Sequence, residues 1–273
     1  MNTKDYFVDD RAVISRDALI GPGCVVSSGA VLCGGVVLQA RVMVGPNVVF
    51  VEPESTLKVI STTVHEGVRI GANATIYSGV VLAIESVVRP GSVVTRSVPP
   101  RAIVDGNPAA IVGYVGTEPG TASLERFEQA PGVVIESTPV HGVSVHTFPV
   151  VPDLRGNLTV GEFNTNIPFT PMRYFMVFGV PSKEVRGEHA HRQCHQFLIC
   201  ARGSCAVVAD DGSRRVEVAL DVPYRGVYLP PMTWGIQYKY SADALLLVFA
   251  SLPYESADYI RDYANFLALK TGA

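Results

Sequence analysis

Two histidines separated by one residue, in the run Arg186-Gly-Glu-His189-Ala-His191, have the spacing that most directly suggests chemistry. Residues i and i+2 of a β-strand face the same side, so a strand here would direct both imidazoles into one space. Because imidazole titrates near neutral pH, such a pair in an apolar pocket is suited to acid and base catalysis. The alternative interpretation is a pair of hydrogen-bonded core histidines.

A metal centre is a further alternative for the pair. First-row metals need additional ligands. The H-x-H pair resembles that of metal-binding cupins, in which an acidic ligand and a later histidine complete the site, but Gln196 stands at the acidic position and residues 230–235 contain no histidine. His195 would share the face of the pair only if no bulge intervenes. We therefore expect no metal.

The first half of the chain contains one histidine, His65, and Glu66 follows it. Such a pair could deprotonate a sugar amine, since the neutral amine must attack a thioester. The alternative is a solvated turn residue.

Short apolar runs separated by turn residues must position the His189–His191 pair. The candidate strands are 143–148, 158–163, 173–178, 196–201, 205–209, 215–220, 226–229 and 244–250. This many short strands favours a sandwich or double-sheet jelly roll, which is the cupin architecture. The closing segment, 255–267, is predicted to be an amphipathic helix.

A branched or aromatic apolar residue recurs every six positions near the start of the chain. The series is Ile14, Ile20, Val26, Leu32, Leu38, Val44 and Phe50, and it resumes as Val64, Ile70, Ile76, Leu82, Val88 and Val94. Hexads at three per coil predict a parallel β-helix of about four coils. Such a solenoid exposes apolar flanks, so we expect self-association.

The sequence therefore predicts an all-β chain with two domains. A β-helix occupies residues 1–116, a linker rich in turn residues occupies 117–132, and a cupin occupies 133–273. A short helical turn at 124–129 is possible within the linker.

Composition excludes several classes of function. A net charge of −3 argues against binding to nucleic-acid phosphates. Five cysteines without a C-x-x-C pair argue against a disulfide framework and suit a reducing cytosol. Neither a signal-peptide pattern nor an apolar run of about 18 residues is present, so we expect a cytoplasmic protein without a membrane partner.

The hexads, the run IGANATI at 70–76 and the run SVPPRAIVDGNPA at 97–109 resemble the left-handed β-helix sugar N-acetyltransferases. The resemblance implies a left-handed parallel β-helix that forms trimers and binds acetyl-CoA between neighbouring helices. The candidate acetyl-CoA contacts are Asn73, Ala74, Asn107 and Pro108, and His65 is the candidate base. The loop after Phe50 is shorter than in that family, so a degenerate β-helix that serves only as a trimerisation platform remains open.

Several runs in the second domain carry another resemblance. They are DLRGNL at 153–158, RYF at 173–175, VRGEHAH at 185–191, LPPMTW at 229–234 and DYIRDY at 258–263, together with Gln196 and Gly203. They resemble the dTDP-4-keto-6-deoxyhexose 3,4-ketoisomerases across nearly the whole domain.

This second resemblance implies isomerisation through an enediolate. A base removes the C3 proton that the 4-ketone acidifies, and reprotonation at C4 leaves the ketone at C3. Neither a nicotinamide nor a metal is needed. His189 and His191 would be base and shuttle, in an order that the sequence leaves open.

The candidate substrate-binding residues are Arg155, Arg173, Gln196, Trp234, Gly235 and Arg261. Arg173 would bind the diphosphate or an oxyanion, or else form a salt bridge at the rim. Trp234 either walls the pocket or packs. Gly235 stands where many relatives have a bulky polar residue, which leaves the face of C4 protonation open.

The two halves together resemble bifunctional ketoisomerase/N-acetyltransferases of 3-acetamido-sugar pathways. The implied partners are a dTDP-linked 6-deoxy keto sugar, a dTDP-linked amino sugar and acetyl-CoA. The alternatives are a ketoisomerase on a β-helix platform and a non-enzymatic nucleotide-sugar-binding cupin. Trimeric β-helices joined to dimeric cupins would give a homo-oligomer, either a trimer or a dimer of trimers.

Overall fold

The computed structural model of the protein describes residues 5–51, 61–119, 132–181 and 183–271. The chain divides into two compact units, Met1–Val115 and Gly116–Ala273.

The first unit consists of short strands joined by tight turns. They are β1 (Phe7–Val8), β2 (Val13–Ile14), β3 (Leu19–Ile20), β4 (Val25–Val26), β5 (Val31–Leu32), β6 (Val36–Leu38), β7 (Met43–Val44), β8 (Val49–Phe50), β9 (Thr62–Val64), β10 (Arg69–Ile70), β11 (Thr75–Ile76), β12 (Val81–Leu82), β13 (Val87–Val88), β14 (Val93–Val94), β15 (Ala102–Asp105) and β16 (Ala110–Tyr114).

These strands form three sheets. From β1 to β14 each strand pairs in parallel with the strand three positions along the chain, while β15 pairs in parallel with β13 and β16 pairs antiparallel with β15. The sheet orders are β1-β4-β7-β10-β13-β15-β16, β14-β11-β8-β5-β2 and β12-β9-β6-β3. The predicted six-residue positions from Val26 to Val94 are almost fully buried. Ile14 and Ile20 are half-buried, because within the described residues the first coil is covered on one side only. The parallel β-helix expected from the hexads is confirmed.

One corner of this β-helix carries a stack of asparagine and glycine. Asn47 and Asn73 adopt φ values of 54° and 57°, and the Asn47 side-chain amide donates to Asn73 Oδ1 at 3.3 Å. At Gly29, one coil below, a Cβ would meet the Asn47 side-chain oxygen. Glycine at this position leaves the space that the stacked asparagine occupies. The short loop predicted after Phe50 falls in 52–60, outside the described residues.

The second unit contains longer, mostly antiparallel strands. They are β17 (Thr117–Pro119), β18 (Val134–Ser137), β19 (Ser144–Thr147), β20 (Val150–Asp153), β21 (Gly156–Thr159), β22 (Arg173–Phe178), β23 (Arg186–His191), β24 (Gln196–Arg202), β25 (Cys205–Asp210), β26 (Arg215–Leu220), β27 (Arg225–Leu229), β28 (Trp234–Tyr238), β29 (Leu245–Ala250) and β30 (Tyr259–Ile260). A 3-10 turn covers Ser256–Asp258 and helix α1 covers Tyr263–Thr271.

Two six-stranded sheets enclose the core of the second unit. Their orders are β17-β26-β25-β28-β23-β30 and β18-β19-β27-β24-β29-β22, and β20 and β21 form a separate hairpin. The core draws side chains from both sheets, among them Val207, Val216, Leu198 and Leu246. This is the predicted all-β, cupin-like double sheet.

Two segments of the second unit differ from simple sequence expectations. Strand β17 lies at the start of the predicted linker and pairs in parallel with Arg215–Glu217 of β26. The rest of the linker, 120–131, lies outside the described residues, and so does the helical turn predicted at 124–129. The helix predicted over 255–267 is wrong in its first half. There the chain extends so that Ile260 pairs with Ala190 of β23, and helix α1 begins only at Tyr263.

No described helix is long and apolar enough to cross a membrane.

Candidate active site

A bulge in β23 aims the histidine pair. Its register with β28 shifts between Gly187 and His189, and Gly187 and Glu188 have φ values of 84° and 52°. A Cβ at Gly187 would lie 2.6 Å from the Gly235 carbonyl oxygen. Glycine thus allows the strands to approach closely, and beyond the bulge His189 lies opposite Gly235.

The predicted pair is brought together in the structure. The His189 and His191 rings lie 5.0 Å apart, centroid to centroid, at 80°. His189 Nδ1 lies 3.0 Å from the Gly187 carbonyl oxygen and so carries the proton that it donates there. Its Nε2 atom therefore bears the lone pair, and no hydrogen-bond partner for Nε2 is found within the described ranges.

Both ring nitrogens of His191 are engaged. His191 Nδ1 lies 2.7 Å from Asp258 Oδ2, and Nε2 lies 3.1 Å from the side-chain amide nitrogen of Gln196. Donation from Nδ1 to the carboxylate leaves Nε2 to accept from the amide. Asp258 is fixed in turn, because the Gln193 backbone donates to its Oδ1 at 2.7 Å.

Burial governs the charge of this cluster. It lowers the pKa of His191 to about 4 in spite of the bond to Asp258. It also lowers the pKa of His189, which the Arg261 and Arg173 charges lower further while the bond to Gly187 opposes them. Burial raises the pKa of Asp258, but its hydrogen bonds outweigh this and hold that pKa below its usual range. Both imidazoles are therefore neutral at pH 7, and Asp258 is ionised.

Tyr259 joins the two histidines to two arginines. Its ring centroid lies 4.3 Å from that of His191 and 4.9 Å from that of His189. Arg173 Nη2 donates to its hydroxyl at 3.1 Å, and the Arg261 guanidinium lies 4.4 Å from the centre of its ring. Arg173, Arg261 and Gln196, three of the predicted substrate contacts, thus lie around the histidines.

No role was predicted for Asp258 or Tyr259, although both belong to the DYIRDY run at 258–263. The helical prediction for 255–267 hid their function, because it did not place this run against β23. The presence of an aspartate in this run could have indicated a partner for one of the histidines. A buried neutral histidine commonly donates to a carboxylate that fixes its tautomer, and Asp258 is an acidic residue of that quoted run.

Two candidate substrate contacts lie elsewhere. Trp234 is buried and packs on Tyr263 and Phe266 of helix α1, with centroids 5.1 and 5.6 Å away. Packing is therefore the interpretation of Trp234 that the contacts favour, and the pocket-wall alternative has no contact to support it. Arg155 is exposed in the turn between β20 and β21.

His195 does not join the pair. A bend separates it from β23, and its Nδ1 lies 2.5 Å from the Tyr228 hydroxyl, next to Phe169, while the following residue, Gln196, faces His191. Among the described residues, His191, Cys194 and Asp258 place potential ligand atoms within 4.8 Å of one another. Two members of that group, His191 and Asp258, lie close together because they are hydrogen-bonded directly to each other.

In the first unit the candidate residues are dispersed. His65 follows β9, and its neighbour Glu66 pairs with Arg41 at 2.6 Å. Asn73 belongs to the corner stack, while Asn107 and Pro108 are exposed in the turn between β15 and β16. The assignment of Ala74 as an acetyl-CoA contact is wrong. Its side chain is fully buried in the β-helix, its N–H donates to Gly71, and its carbonyl accepts from Val49.

Comparisons with known proteins separate the two units. Residues 141–271 match the family model described as FdtA, WxcM-like, C-terminal. The TDP-4-oxo-6-deoxy-alpha-D-glucose-3,4-oxoisomerase of Aneurinibacillus thermoaerophilus is 42% identical over 122 residues, which are 45% of this chain and 88% of that protein. The dTDP-3-amino-3,6-dideoxy-alpha-D-galactopyranose 3-N-acetyltransferase of the same organism is 48% identical over 54 residues, which are 20% of this chain and 28% of that protein.

Solved structures similar to this chain include a 3,4-ketoisomerase from Helicobacter canadensis. It is 33% identical, with a TM-score of 0.46 over 48% of this chain and 98% of that one. Another is the sugar 3,4-ketoisomerase QdtA from Thermoanaerobacterium thermosaccharolyticum in complex with TDP. It is 30% identical, with a TM-score of 0.47 over 49% of this chain and 97% of that one.

Proposed function

Because the chain belongs to the FdtA family of WxcM-like C-terminal domains through residues 141–271, we propose that its second unit isomerises dTDP-4-keto-6-deoxyglucose to the dTDP-3-keto-6-deoxyhexose. The observation that carries this proposal is the neutral pair formed by half-buried His189 and buried His191, with one open imidazole nitrogen on His189. The 3,4-oxoisomerase that is 42% identical supports the choice of reaction.

The geometry favours His189 as the base. Its Nε2 lone pair is available, whereas both nitrogens of His191 are occupied by Asp258 and Gln196. A neutral imidazole removes the C3 proton, and the resulting imidazolium returns a proton to C4. The substrate ketone itself acidifies C3, so the reaction requires neither a nicotinamide nor a metal.

The arginines around the pair suit an anionic nucleotide sugar. Arg173 and Arg261 both lie against Tyr259, where they would bind the diphosphate or the developing oxyanion. Gln196 would hold His191 in one tautomer. Gly235 lies opposite His189, and a Cβ there would lie 3.2 Å from Leu229 Cδ1. Arg155 remains a proposed contact, from the β20–β21 hairpin.

Single replacements of the two histidines test this proposal against a cupin that only binds nucleotide sugars. His189→Asn and His191→Asn are expected to lower the isomerisation rate by at least about 100-fold. Calorimetry should find TDP binding retained in both variants. Unchanged signals from the sugar with the wild-type protein, together with intact nucleotide binding, would instead identify a binding protein.

For the first unit we propose acetyl-CoA-dependent N-acetylation of a dTDP-3-amino-3,6-dideoxyhexose. The similarity to the 3-N-acetyltransferase supports this, although it spans 54 residues. A groove of about 290 Å³ on the first sheet of the β-helix is lined by Met43, Val87, Arg69 and Arg89. An apolar wall with two guanidinium groups suits the phosphates of a coenzyme, and His65 is the proposed base.

Acetyl-CoA binding decides between this activity and a β-helix that serves only as a platform. Calorimetry of the full chain is expected to detect saturable acetyl-CoA binding, and a thiol-release assay with the dTDP-3-amino sugar is expected to detect turnover that His65→Asn reduces. A chain that binds no acetyl-CoA while its second unit isomerises keto sugars would leave the platform role.

A further inference from the structure

The 3,4-ketoisomerisation moves two protons, and the histidines account for one of them. One proton leaves C3 and one arrives at C4, and the open Nε2 atom of His189 can carry this proton between the two carbons. The other must pass from the C3 oxygen to the C4 oxygen. His191 has no free ring nitrogen for that transfer, because Nδ1 donates to Asp258 and Nε2 accepts from Gln196. A second proton carrier is needed.

We propose that Tyr259 is this carrier and is therefore a further catalytic residue of the site. The inference rests on the proposed ketoisomerase function. The Tyr259 ring lies against both imidazoles, with centroids 4.3 and 4.9 Å away, and is half-buried in the same cluster. Its hydroxyl oxygen accepts from Arg173 at 3.1 Å, so its own proton is available to donate elsewhere.

The proton and electron balance closes with these two groups. His189 takes the C3 proton, the C3–H pair forms the C3–C4 double bond, and the carbonyl pair moves to O4, which takes the Tyr259 proton. The product of this half is an enediol, an imidazolium and a tyrosinate. The tyrosinate then removes the O3 proton, the C3 ketone forms, and C4 takes the imidazolium proton. Both residues return to their starting states.

Arg173 makes this cycle electrostatically reasonable. Between the two halves the Tyr259 oxygen carries a negative charge in a half-buried site. The Arg173 guanidinium already donates to that oxygen, and the Arg261 guanidinium lies over the ring. Fixed cations at the atom where charge develops stabilise it without reorganisation.

The strand pairing explains why Tyr259 occupies this place. Tyr259 pairs with His191 across β30 and β23, and the preceding residue, Asp258, holds His191. One short strand therefore delivers both the partner of one histidine and the proposed proton carrier.

The test compares net isomerisation with hydrogen exchange in Tyr259→Phe, using dTDP-4-keto-6-deoxyglucose in D2O. The phenylalanine keeps the ring contacts and loses only the hydroxyl. We expect net isomerisation to fall by about 100-fold or more, while His189 still exchanges C3–H for deuterium in unreacted substrate. The ratio of exchange to isomerisation therefore rises.

Tyr77→Phe, the same substitution on an exposed side chain of the first unit, is the matched control and should leave both rates at wild-type values. TDP binding by Tyr259→Phe is measured alongside. A Tyr259→Phe rate within about threefold of wild type would overturn the proposal, as would a parallel loss of exchange and isomerisation with TDP binding retained. Absence of isomerisation by the wild-type chain would overturn the proposed function and this inference with it.

Discussion

His189 and His191 have different electrostatic partners although they share one strand. His191 is hydrogen-bonded to Asp258 and Gln196, and His189 donates to the carbonyl of Gly187. The same sequence run therefore yields one fixed imidazole and one open imidazole. The spacing H-x-H predicted the shared face, because strand alternation is local. It could not order the roles of the two histidines, since those depend on a partner 67 residues away.

The protonation of His189 should determine how kcat/KM falls at acid pH. Burial and the nearby arginines lower the pKa of His189, so kcat/KM should lose activity only below about pH 6.5, the ordinary histidine value. Arg261→Gln removes one of the cations that oppose the imidazolium. The pKa of His189 then rises, and the acid limb should move to higher pH. The measurement is the pH profile of isomerisation.

Arg214→Gln is the control for this charge effect, since Arg214 is exposed in the turn after β25. It should leave the limb in place. A wild-type limb at or above pH 6.5, or one that Arg261→Gln does not move, would contradict the assignment of His189 as the base.

At the scale of elements, the C-terminal segment positions half of the site. Tyr263 donates to Asp210 at 2.7 Å and accepts from Arg215 at 2.6 Å, and all three side chains are buried. Phe266 is fully buried beside Trp234. This anchor begins directly after the strand that carries Tyr259, so packing at the helix determines where β30 lies.

Phe266→Ala tests this coupling. Loss of a fully buried ring is expected to lower the free energy of unfolding by about 3–5 kcal/mol. The emission of Trp234, the single tryptophan, should shift to the red as its packing opens, and isomerase activity should fall at the same time. Urea unfolding followed by tryptophan fluorescence provides the measurement. Leu269→Ala, an exposed position on the same helix, should cost less than about 1 kcal/mol.

The elements also show what sequence reasoning can recover. The β-helix could be predicted from the hexads because each coil repeats one physical requirement, an apolar side chain that points inwards. Strands such as Arg173–Phe178 and Arg215–Leu220 were predicted at their observed bounds. The first half of the segment 255–267 was wrongly predicted as helix. There the pairing of Ile260 with Ala190 overrides the local helical preference.

At the scale of the molecule, exposed apolar side chains favour self-association. Phe7 and Met43 belong to one flat sheet of the β-helix and are 58% and 51% exposed. Tyr174, Met176 and Phe178 are exposed on β22, an edge strand. We expect light scattering to report a trimer or a dimer of trimers, and Met43→Glu to reduce the mass. A wild-type monomer would contradict this expectation.

A proton NMR time course would show whether the second unit catalyses ketoisomerisation without a metal. The full chain is incubated with dTDP-4-keto-6-deoxyglucose in D2O with EDTA present. We expect a 3-keto isomer with deuterium at C4, and the couplings of the product report its C4 configuration. Unchanged sugar signals, or activity that appears only when a metal replaces EDTA, would contradict this expectation.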